Sequence, residues 1–87
     1  LKIIFHYYFN LDVTSSSYTY PTIQIYNGNP SDSASASVYS ESLSGTGVQF
    51  DYILDADSGS TYFVIVDTYG SSFSNYCYDF DMFVFNV

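Results

Sequence analysis

Eighty-seven residues make one domain, and a chain this short buries only about 60–65% of the surface its unfolded form exposes, so its stability needs help. A single Lys, no Arg and nine carboxylates leave a net charge of −8. That balance excludes nucleic acid, whose phosphates need a basic patch, and disfavours anionic membrane surfaces.

The help is aromatic. Eleven Tyr and eight Phe are present, with no Trp, and each buried ring removes about 150–250 Å² from water. A hydrophobic fraction of 47% is too high for a disordered chain, yet no run approaches the roughly 18 apolar residues of a membrane span. With almost no cationic side chains, Ser, Thr, Asn and Tyr must supply most of the surface. Cations, sugars, other proteins and copies of the chain remain as partners. The scarcity of basic protease sites suits an extracellular or cell-surface protein. Cys77 is the sole cysteine, so it is either a free thiol or half of an intermolecular bond. The chain opens on Leu1, which reads as a processed product or an excerpt. Ile3 to Phe9 is too short and too polar for the apolar region of a signal peptide.

Taken in order, Leu1 to Val13 alternates with period two. Ile3, Phe5, Tyr7, Phe9, Leu11 and Val13 share one face, as in a long half-buried strand. Thr14 to Ser17 breaks the pattern. Tyr18 to Tyr26 predicts a second strand with Ile23 and Ile25 on one side, and Pro21 confines its first half to an edge or a strand start. Asn27-Gly28-Asn29-Pro30 is a turn. Ser31 to Ser44 reads either as a small-residue strand presenting Ala34, Ala36 and Val38, or as a solvated Ser-rich loop open to glycosylation. After the turn at Gly45-Thr46-Gly47, Val48 to Leu54 predicts a strand with Val48, Phe50, Tyr52 and Leu54 inward. Asp55 to Ser60 is a further turn cluster.

Thr61 to Val87 then reads as two antiparallel strands joined by a short connector, a closing hairpin on which the rest would pack. Tyr62, Val64 and Val66 share one face of its first strand, Phe63, Ile65 and Asp67 the other. No segment carries a 3.6-residue period. The expectation is an all-β domain: one small antiparallel sandwich or jelly-roll-like fold of about six to eight strands over residues 1–87.

Three segments together, PTIQIYNGN, GVQFDYILDADSGSTYFVIVDTYG and YDFDMFVFNV, resemble the bacterial pre-peptidase C-terminal domain over about Thr22 to Val87. The middle motif matches at Gly59, Thr61, Tyr62, Phe63, Val64 and Val66, with Ser60 intervening. The closing strand matches at Tyr78, Phe80 and Met82, continuing to Val84. The resemblance implies a small secreted jelly-roll-like sandwich without catalytic residues, accessory to another protein. The chain departs from the family at Pro21-Thr22-Ile23-Gln24, where an aspartate-bearing strand is usual.

Chemistry is thinly represented. His6 is the only histidine, so neither a Ser/His/Asp site nor a zinc shell is supported. Asp79 and Asp81 share a strand face with Cα atoms on the order of 6.5–7 Å apart, but catalysis by paired carboxylates needs a cleft. The expectation is no enzyme and no cofactor. Asp55, Asp57 and the Gly59 turn carry part of a calcium loop, which Asp51 and Asp67 would join if the strands placed them together. The full twelve-residue pattern is absent. Nineteen aromatic rings are too many for a small core, so some must be exposed or buried between chains. The expected self-association residues are Ile3, Phe5, Tyr7, Phe9 and Leu11 on the first strand, with Tyr8, Tyr18 and Tyr20. Residues 1–13 either pair within their own domain or are donated to a neighbour. The expected role is structural or adhesive, in a filament or surface assembly. The alternative is an accessory domain binding carbohydrate or a protein, steadied by calcium.

Overall fold

A computed structural model describes residues 3–32, 35–68 and 78–87. Among these residues there are six strands: β1 (Ile4–Val13), β2 (Pro21–Asn27), β3 (Ala36–Ser42), β4 (Gln49–Asp57), β5 (Tyr62–Thr68) and β6 (Phe80–Asn86). They form two three-stranded antiparallel sheets, ordered β4-β1-β6 and β3-β2-β5. The protein is an all-β sandwich.

β1 is central because it is the longest strand and its period-two pattern leaves one face fully apolar. Phe9, Leu11 and Val13 point between the sheets and are buried. Opposite them β2 supplies Ile23 and Ile25, and β4 adds Phe50, Leu54 and Ala56. β-branched residues suit β2 because they pack on a pleated surface with little rotamer freedom left to lose. Pro21 is the first residue of β2, a position where proline is tolerated, and its carbonyl accepts from Leu43 N. Tyr39 and Tyr52 stack across the sheets, ring centroids 4.2 Å apart at 16°. Burial, and next the Glu41 carboxylate that Tyr39 hydrogen-bonds, push the Tyr39 hydroxyl well above its ordinary value.

The alternation marked the inward faces of β1, β2 and β4 and separated the two faces of β5 without saying which is inward, but three expectations are corrected. Thr61 to Val87 is not a hairpin: β5 pairs with β2 and β6 with β1, in different sheets. Alternation marks a strand's buried face and is silent on its partner, and among the described residues β2–β3 is the only sequence-adjacent pair to share a ladder. In β3, a strand and not a loop, Tyr39 rather than Val38 meets the core. A register shift between Ile25 and Tyr26 moves the inward positions by one, leaving Val38 exposed. Ala34 lies outside the described residues. β4 also runs past Leu54 to Asp57, so the tight turn shrinks to the residues around Gly59, whose φ of 82° is costly for any residue with a Cβ.

Ile25 is fully buried between the sheets. Ile25→Ala removes three methyl or methylene groups there and leaves a cavity, so a loss of about 3 kcal/mol is expected in urea unfolding, a large share of a small domain's stability.

Candidate interaction surface

The ladder contacts fix which backbone groups of β6 face β1 and which face outward. In an antiparallel pair, hydrogen-bonded and non-hydrogen-bonded residue pairs alternate. Thr14 N donates to Asp79 O and Val87 N to His6 O, and both pairs continue the β1–β6 register. Asp81, Phe83 and Phe85 therefore direct their N–H and C=O groups at β1. Phe80, Met82, Val84 and Asn86 direct theirs away from it, along the outer edge of the sheet. Among the described residues no strand pairs with that edge.

The side chains of β6 are exposed on both faces. Phe80, Met82 and Val84 extend the inward row of β1, opposite Val13, Leu11 and Phe9, yet they remain 41%, 43% and 48% exposed. On the other face Phe83 and Phe85 stack at 6.2 Å, and Tyr8 tilts against Phe85. Asp81 is the only charge in the strand. A terminal strand with this much apolar surface on both sides is the usual mark of a contact site.

Sequence reasoning looked for contact residues elsewhere. Phe9 and Leu11 are core residues, so their place among the self-association residues is corrected: the second sheet already covers them. Tyr7 is half-buried beside them. Ile3 and Phe5 are exposed at the open end of the strand, and Tyr18 is exposed with its ring 5.3 Å from that of the half-buried Tyr20. β1 itself pairs with β4 on one side and β6 on the other, so donating it to a neighbour would strip the sheet of its central strand. The missed signal was FDMFVF, which is apolar at both parities and so cannot be a half-solvated strand.

The open end holds a cavity of about 340 Å³ between the sheets. Phe5, Tyr7, Phe9, Leu54, Tyr62 and Val84 line its walls, with Ser58 to Ser60 at the rim. Tyr62 accepts a hydrogen bond from Asp57 N at its hydroxyl, which fixes one wall.

The four calcium candidates do not form one site. Asp51, Asp55 and Asp57 lie along the outer side of β4, whereas Asp67 lies on the outer side of β5 in the other sheet. Asp51, Asp55 and Asp67 are each turned to a local partner. Asp55 Oδ1 sits 2.6 Å from His6 Nδ1, Asp51 accepts from Tyr8 and from Asn10 Nδ2 at 2.9 Å, and Asp67 accepts from Thr68 N. Among the described residues no three His, Cys, Asp or Glu cluster closely enough to hold a metal ion. No helix among them is long and apolar enough to cross a membrane. Cys77 lies outside the described residues.

Comparison with family models, curated proteins and solved structures finds no match for this chain. The likeness to the pre-peptidase C-terminal domain rests on the quoted residues alone.

The hydrogen bond from Tyr8, then that from Asn10, holds the Asp51 carboxyl below its ordinary value. The same Asp51 bond raises the Tyr8 hydroxyl. A depressed carboxyl contributes stability that is complete above its unfolded value near 3.8 and lost as pH falls through the lower folded value. A raised hydroxyl contributes stability that is complete below 10.0 and lost as pH rises through the higher folded value. Tyr8→Phe is therefore expected to lower Tm between those limits and to converge with the parent on further acidification. Thermal melts at a series of pH values check this.

Proposed function

We propose that this protein is a non-catalytic structural or adhesive module of the extracellular space or cell surface, which associates with copies of itself through the outer edge of β6. The observation that carries this reading is the unprotected strand. Phe80, Met82, Phe83, Val84 and Phe85 are all exposed, and Phe80, Met82, Val84 and Asn86 offer a row of backbone groups that another strand can pair with. Natural edges are blunted by Lys, Pro, bulges or inward charges, and β6 carries none of these beyond Asp81. The composition agrees, because a surface poor in Lys and Arg has few residues with which to blunt an edge.

A second reading keeps one specific observation in its favour. The aromatic cavity near Phe5 and Tyr62 has the size of a small-ligand pocket, which fits an accessory domain that takes carbohydrate or a protein segment. Calorimetric titration with calcium and with a glycan panel tests it, and an absence of heat in both removes it.

Sedimentation velocity over a range of concentrations tests the first reading. Each copy carries a charge of −8, so association is expected to strengthen as added salt shortens the Debye length from about 30 Å at 0.01 M to about 8 Å at 0.15 M. Phe83→Lys places a charge on the exposed face of β6 and should abolish association while leaving the far-UV circular dichroism unchanged. Monomers at every salt and protein concentration would overturn the reading.

A further inference from the structure

Resting on the self-association reading, we infer that the assembly is a closed two-fold pair, in which β6 lies antiparallel to β6 of a second copy with Phe83 of each chain at the axis. The first argument is hydrogen-bond phase. Phe80, Met82, Val84 and Asn86 face the open edge, so they must oppose one another, and the residue numbers of opposed partners must sum to an even value. The second argument is overlap. Opposing Phe83 with Phe83 sets Met82 against Val84 and Phe80 against Asn86, which uses every outward-facing residue of the strand. Shifting by two residues either way leaves part of that row unpaired. The third argument is charge. This register sets Asp81 across from Phe85 of the second copy, whereas centring on Asp81 would set two carboxylates directly opposite each other, which is destabilising.

The pairing closes on itself, and two of the other three edges are guarded. The same phase argument on β4, anchored by Val13 N to Val48 O and Ser58 N to Ile3 O, makes its open row Gln49, Asp51, Ile53, Asp55 and Asp57. Its three carboxylates repel a strand from an acidic neighbour. The β3 edge is broken by its register shift, and Tyr52 already donates to Val38 O there. On β5, the bond from Gly28 N to Thr61 O turns Tyr62, Val64, Val66 and Thr68 outward, and Thr68 N is taken by the Asp67 side chain. A β6-to-β6 contact is isologous and uses each β6 edge once, so it closes as a pair, whereas a filament would need a second contact through another edge. The result is a dimer with a continuous sheet, β4-β1-β6 followed by its symmetry mate.

Single-cysteine variants in a Cys77→Ser background test the register. Non-hydrogen-bonded partners have Cα atoms about 4.5 Å apart, within disulfide range, whereas residues offset by two positions across the axis lie beyond about 7 Å and cannot bridge. Under mild oxidation Phe83→Cys should form a covalent dimer rapidly, and Met82→Cys should remain largely unlinked. Sedimentation of each reduced variant, with circular dichroism, shows whether it still folds and associates. Dimers by sedimentation with no Phe83→Cys link, a faster link through Met82→Cys, or growth beyond the dimer would overturn the two-fold register while leaving self-association standing. A chain that stays monomeric throughout would overturn both. As a check independent of Cys77→Ser, Phe83→Cys made with Cys77 retained should give the same link, located by peptide mass spectrometry. A bridge found only through Cys77 would overturn the register.

Discussion

Both sheets depend on one packing contact: Phe9, Leu11 and Val13 of β1 against Ile23 and Ile25 of β2. These residues sit on the central strand of each sheet, so the apolar surface they remove from water holds together all four peripheral strands. Phe50, Leu54 and Ala56 widen the contact toward β4, and the Tyr39–Tyr52 stack closes that side. Toward β6 the closure is partial: Tyr78 packs against the core and its hydroxyl donates to Asp67 O. The inward side chains of β6 continue the row of β1 but stay exposed, which makes the core lopsided.

That asymmetry connects the fold to the proposed role. The outer rows of β4 and β3 are managed in familiar ways, by carboxylates on one and a bulge on the other. β6 is left apolar and open, next to the strand on which the fold is built. A second copy laid against it would extend the sheet and shelter Phe83 and Phe85 from water at once. The heavy negative charge opposes that approach at a distance, since charged surfaces repel most where salt does not screen them. Assembly that follows ionic strength is the natural consequence.

The carboxylates serve the fold locally. Asp51 anchors Tyr8 and Asn10, Asp55 meets His6, and Asp67 caps the end of β5. With so few cationic side chains, hydroxyl, amide and imidazole donors take the place of ion pairs. Tyrosine is well suited to this, having a ring for the core and a hydroxyl for a carboxylate, as Tyr39 shows with Glu41.

Read alone, the sequence determined the class of fold, the positions of the strands and which face of most of them is buried, because period-two alternation records burial directly. It also marked the turns at Gly28 and Gly59, where positive φ favours glycine. It did not reveal strand partners. The closing segments looked like a hairpin because they are adjacent in sequence, yet β5 and β6 lie in different sheets, a choice made by long-range packing. Nor could alternation show that Asp51 and Asp67 lie on opposite outer faces, or that Phe9 and Leu11 are covered. Only the tertiary structure decided that β6 sits at an edge. That placement turns a run of apolar residues from presumed core into the surface on which the proposed association rests.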